Sequence, residues 1–210
     1  MVAPLRARAA DIAAFVEHNR AWIDARLETL RRVLAAHPGS AQLVDGAMIL
    51  YRGGPVRLRV RSGARSQVRE CSDIEVTVAT ALAGADREAA VERVLTRWLR
   101  WSAQNDALAY VDRHARPHGL LPAAVRVKQP KRLWGSCSAK GTINLNWRLI
   151  FAPPPVFEYV VVHELCHLRE PHHRAPFWRL VEEVLPGFEE QRRWLRANGH
   201  LLTLRNGSAA

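Results

Sequence analysis

Apolar positions along the 210 residues change period several times, and each change predicts an element. Between residues 11 and 36, Ile12, Phe15, Val16, Trp22, Ile23, Leu27, Leu30, Val33 and Leu34 recur near every 3.6 residues. That spacing predicts an amphipathic helix, stopped by Pro38-Gly39. The period then drops to two. Residues 47–52 lead into a Gly53-Gly54-Pro55 turn, and residues 56–61 alternate strictly, apolar on one face and arginine on the other. Residues 74–78 alternate likewise, and the three segments predict a half-exposed antiparallel sheet.

Helical spacing returns after Asp86, a candidate N-cap. Val91, Val94, Leu95, Trp98, Leu99, Trp101, Leu108 and Val111 give this helix a broad apolar face up to about His114. Pro117-His118-Gly119 ends it, with His114 and His118 expected at the surface. Residues 125–128 predict a short strand, residues 134–141 a small-residue turn, and residues 142–147 a further strand. Pro153-Pro154-Pro155 then opens a helix, a position where proline is tolerated. Two more helices follow, one ended by Pro186-Gly187 and one by Gly199, and the tail from Leu202 is expected to fray.

Composition narrows the class without naming a function. Hydrophobic residues make up 48% and charged residues 24%, the profile of a chain with a real core. No apolar run reaches the length of a membrane span, and residues 1–8 carry no export signal. Cys71, Cys137 and Cys166 are too few for a disulfide framework, which leads to the expectation of a cytoplasmic setting. The net charge of +11 favours a polyanionic partner or substrate, nucleic acid included. Residues 46–69 hold six arginines and no acid. Solvated faces account for such runs as readily as phosphate contacts do.

The chemistry concentrates in His163-Glu164-Leu165-Cys166-His167. On a helix, residues four apart share a face, so both imidazoles point at one place. Glu164 sits one step round, suited to act as a general base on water held by a metal ion. Chance predicts roughly 0.02 such matches in a chain of this composition, which favours a metal site over two incidental surface histidines. Cys166, inside the motif, reads as a small buried hydrophobe. A catalytic zinc needs a third protein ligand. By spacing alone, His172, His173, Glu182 and Glu183 all remain open for that place.

Three blocks carry a resemblance: Trp134-Gly135-Ser136-Cys137-Ser138 with Gly141; Asn144-Leu145-Asn146-Trp147-Arg148-Leu149 through Pro153; and the histidine motif with His173 and Phe177-Trp178. Together they make the chain similar to the YgjP-like metal-dependent hydrolases, relatives of the SprT-like and Wss-type zincin peptidases. The resemblance implies an α+β, zincin-like fold of minimal gluzincin type, with a small antiparallel or mixed sheet packed against helices. Residues 1–85 would supply a helix and a β region, and residues 86–210 the metallohydrolase domain, the two forming one compact unit. It implies one Zn2+ per chain, held by His163, His167 and His173, with Glu164 activating a zinc-bound water. The strand holding Asn144, Asn146 and Trp147 would line the cleft as an edge strand, and His172 would stand on the substrate side. Peptide hydrolysis is the leading expectation. UTP pyrophosphate hydrolysis and a nucleic-acid-associated protease of the SprT/Wss type are the alternatives. Leu133 departs from the arginine that often precedes Trp-Gly-Ser-Cys-Ser in the family, and Arg132 stands one place earlier.

Overall fold

The computed structural model describes residues 42–130 and 132–204. The chain divides into two compact units, Met1–Pro38 and Gly39–Ala210. The helix expected over residues 11–36, with Trp22 and Ile23, lies outside the described residues.

Among the described residues, seven strands and four α-helices follow in the order β1 (Met48–Tyr51), β2 (Gly54–Gly63), β3 (Gln67–Glu70), β4 (Ile74–Ala79), α1 (Gly84–His118), β5 (Ala124–Lys128), β6 (Gly135–Cys137), β7 (Thr142–Asn146), α2 (Pro154–Cys166), α3 (Ala175–Val184) and α4 (Glu189–Asn198). The fold is therefore α+β, with two small mixed sheets. In the first, ordered β1-β2-β4-β3, β2 and β4 run parallel. The expected all-antiparallel arrangement is corrected by β3, a strand of Gln67, Val68, Arg69 and Glu70 whose single apolar residue gives no alternation to read. It pairs antiparallel with β4 at the sheet edge. Leu58, Ile74, Val76 and Val78 fill the inner face. On the other face Arg59 pairs with Asp73 at 2.8 Å and Arg61 with Glu75 at 3.4 Å. These strand arginines thus face carboxylates of the same sheet.

The second sheet is ordered β5-β7-β6. β7 runs parallel to β5 and antiparallel to β6, so both of its edges are taken.

Helix α1 extends four residues past the expected end, and Ala83, not Asp86, is its N-cap. Its apolar face is narrower than the sequence suggested, since Trp101 and Leu108 are exposed. His114 is buried rather than superficial, because Glu158 on α2 reaches it at 2.8 Å while also accepting from Arg113 at 2.7 Å. The tail also departs from expectation: Leu202 and Leu204 pack into the core.

Helix α2 is largely apolar and mostly buried, as a helix enclosed by other elements must be. It packs on α1, α3, α4, β6 and β7. Pro154 and Pro155 occupy its first turn, where no intrahelical N–H bond is lost. Ahead of them, the β1–β2 turn seats the entry to the helix. Arg52 N donates to the Ile150 carbonyl at 2.8 Å and Gly53 N to the Phe151 carbonyl at 3.0 Å. Gly53 has φ +81°, and a Cβ there would lie 2.8 Å from Pro153 Cα, so no larger residue fits. Arg52 also holds Asp106 on α1 at 2.9 Å and Glu70 on β3 at 3.2 Å. Among the described residues no helix is long and apolar enough to cross a membrane.

Candidate active site

Helix α2 delivers His163 and Glu164 from its last turn, and His167 follows as the helical C-cap. The chain then leaves the helix, and His173 comes back just before α3. One nitrogen from each of His163, His167 and His173 lies within 4.8 Å of the others. His163 and His173 face each other with Nε2 atoms 3.0 Å apart. The exposed His172 is not part of this cluster, and Glu182 and Glu183 remain outside it too.

Other residues fix the imidazoles. The Glu170 carbonyl lies 3.0 Å from His167 Nδ1. A carbonyl only accepts, so Nδ1 carries the proton and Nε2 is left with its lone pair for a ligand. Trp178 Nε1 donates to the His173 carbonyl at 3.2 Å, anchoring the third histidine to α3. Phe177 packs against all three rings, with centroids 4.5 to 4.9 Å away. Burial, then the neighbouring His167 and His173, lowers His163 to about 3, and burial lowers His167 too. Neutral imidazoles are what a metal ion needs as ligands. Among the described residues three such donors converge, enough to hold a metal ion that keeps an open position.

Glu164 is 5% exposed, and its carboxyl has no hydrogen-bond partner among the described residues. Burial raises it to about 8. Its side chain lies against the backbone of β6. A Cβ on Gly135 would sit 2.7 Å from Glu164 Cγ and 2.8 Å from Cδ, so only glycine leaves room. The Cys137 thiol is pushed up by burial and by Glu164 nearby.

A cavity of about 800 Å³ opens over this group. β6 and the turn after it form one wall, and His163, Glu164, His167 and His173 form another. The expected wall was β7, and the structure corrects it. Asn144, Asn146 and Trp147 do not line the cavity, because β7 is the central strand. Asn146 is buried, donating to the Pro130 and Leu133 carbonyls at 3.2 and 3.1 Å and accepting from Arg148 N. Asn144 Nδ2 donates to Ser136 Oγ at 3.4 Å. Trp147 packs edge-on against Phe151 in the core.

Sequence reasoning missed Gly135, Glu170, Tyr159, Arg192 and Arg196 as parts of this region. Only Gly135 had a sequence signal, within the Trp-Gly-Ser-Cys-Ser block.

Converging neutral imidazoles beside a buried carboxyl, in an open cavity walled by a strand edge, define a metallopeptidase-type site. The chain belongs to the YgjP-like family: the family's metallopeptidase domain matches residues 1–198. A similar solved structure is the crystal structure of the metallopeptidase zymogen of Pyrococcus abyssi abylysin. It shares 26% identity over 48% of this chain and 99% of that one, with a TM-score of 0.40. No curated protein matches the chain.

Proposed function

We propose that this metallohydrolase is a zinc-dependent peptidase in which His163, His167 and His173 hold the ion and Glu164 moves the proton. The observation that carries the reading is the Glu164 carboxyl, buried and with no hydrogen-bond partner among the described residues, in the wall of the cavity that the three imidazoles face. A zinc ion held there supplies a Lewis acid that acidifies water and stabilises charge developing on a carbonyl oxygen. Burial holds the Glu164 carboxyl high in the metal-free chain; in the proposed site its carboxylate would take the proton from water and return it to a leaving amine. The imidazoles need only stay neutral and fixed, which burial, Phe177, Trp178 and the Glu170 carbonyl favour.

Substrate would lie along β6. Trp134 O accepts from Asn146 N, and Ser138 N donates to Thr142 O, both toward β7. Antiparallel alternation then turns the backbone groups of Gly135 and Cys137 the other way, toward the cavity. An extended peptide can add to that edge as a further strand. A nucleotide has no use for such an edge, which places UTP hydrolysis second.

The test compares zinc-loaded protein with Glu164→Gln on a mixed peptide library and on UTP. Peptide cleavage that depends on Glu164 is the expected result. Release of pyrophosphate from UTP that depends on Glu164, with no peptide cleaved, would overturn the peptidase reading and favour the nucleotide one.

A further inference from the structure

Beside the histidines a second cavity of about 520 Å³ opens, sharing Trp134, Tyr159, His163, His173 and Leu195 with the first. Its other walls are Trp178, Arg192 and Arg196. The two arginines lie one turn apart on α4, so they share a helix face. Neither has an acidic partner among the described residues, although α4 begins with Glu189 and Glu190. Arg52, Arg59, Arg61 and Arg113 are paired with acids. Arg192 and Arg196 are not, and they stand at the site.

Arg192 is also held in place. Its guanidinium lies over the Trp178 ring, 4.0 Å from the centroid. Trp178 in turn stacks on Phe188 and anchors His173 through its indole N–H. Stacking covers one face of the guanidinium plane and leaves its N–H edge free to form a paired contact with a carboxylate. The positive field reaches the site, since Arg192 and Arg196 both act on Tyr159 and Arg192 acts on His163.

From this juxtaposition we infer that Arg192 and Arg196 form a specificity subsite for a carboxylate on the substrate peptide, adjoining the histidine cluster. The aromatic walls of Trp134, Tyr159 and Trp178 would take the apolar part of the same residue. The inference rests on the peptidase reading and names the chemistry its substrate carries. An acidic side chain and a free chain terminus offer the same group, and the experiment separates them.

Three matched peptides are compared on the zinc-loaded full chain: one with an internal glutamate and an amidated end, one with glutamine and a free end, and one with glutamine and an amidated end. The wild type, the Arg192→Gln/Arg196→Gln double variant and Arg193→Gln, an exposed position on the same helix, are each assayed. A second readout titrates metal-free protein with the same peptides and follows tryptophan fluorescence from Trp134 and Trp178. In the wild type one carboxylate peptide is expected to exceed the neutral one by about tenfold in kcat/KM, through KM, the scale of one charge-assisted contact. That ratio should fall toward one in the double variant and stay in Arg193→Gln. The glutamate peptide winning identifies a side-chain subsite, and the free-end peptide winning identifies a terminus. Equal use of all three peptides by the wild type, or a preference that survives in the double variant, overturns the inference. If no peptide is cleaved, the peptidase reading fails by itself. The titration then still decides: a carboxylate preference lost in the double variant supports the subsite, and its absence overturns it.

Discussion

Replacing Gly135 with alanine adds one methyl group directly against Glu164. The new Cβ would lie 2.7 Å from Glu164 Cγ and 2.8 Å from Cδ. Comfortable carbon contacts begin near 3.5 Å, so one side must give way by about 1 Å. β6 is paired to β7 and cannot simply retreat. Glu164 is 5% exposed and enclosed by α2 and its neighbours. The displacement therefore falls mainly on the carboxyl. Overpacking of this kind costs about 1–3 kcal/mol of stability. In a domain of this size that lowers Tm by roughly 2–4 °C per kcal/mol. A catalytic group moved by about 1 Å loses on the order of 100-fold in rate. The three atoms nearest the added methyl all belong to Glu164 and none to a histidine, so zinc content should stay at one per chain. Peptide cleavage, metal analysis and thermal unfolding on Gly135→Ala separate these effects. Gly199→Ala makes a gentler comparison, since its Cβ would reach no closer than 3.0 Å to Trp134. Wild-type turnover in Gly135→Ala would refute the argument. Zinc lost together with turnover would refute it too, because the methyl would then be acting on the ligands.

His163→Ala and His173→Ala should each lose zinc, while Glu164→Gln should keep it and lose turnover; a stoichiometric zinc content in His173→Ala would remove that residue from the ligand set. Metal-free protein should lose stability with rising pH: Glu164 stands at about 8 against an ordinary 4.5, so the folded state keeps a proton that the unfolded chain releases. His163, lowered to about 3 from 6.5, works in the opposite sense and only below pH 6.5. Between pH 6.5 and 8 the Glu164 effect stands alone and amounts to roughly 2 kcal/mol in denaturant titrations; parallel curves for wild type and Glu164→Gln across that window would contradict it. Asn146→Ala should cost about 1–3 kcal/mol, since it strands the buried backbone groups its side chain satisfies; an unchanged Tm would show that this clamp does not hold.

The histidine motif was legible because its chemistry lies in spacing along one helix, and α2 keeps that spacing in space. By spacing the third histidine was not, because Pro171 ends the helical period and leaves nothing to phase His172 against His173; only the family resemblance pointed to His173. Tertiary packing decides there: Trp178 holds the His173 backbone, and His172 is left exposed. β7 was legible as a strand from its alternation, yet alternation does not say which neighbours a strand has. The cleft wall went to β6, whose Gly-Ser-Cys sequence has no periodicity and becomes a strand only by pairing with β7. Arg192 and Arg196 belong to no motif along the chain. Only the placement of α4 beside His163 and Trp178 gives them a position at the site.

The seat that Arg52 and Gly53 provide for Ile150 and Phe151 also bears on how the molecule is made. Synthesis runs from the N-terminus, so the β1–β2 turn emerges roughly a hundred residues before the carbonyls it will bind, a long loop to close. Until that loop closes, Pro153 has no platform and the helix behind it has no fixed starting point. The histidines are therefore aligned late in biogenesis, after most of the chain has left the ribosome.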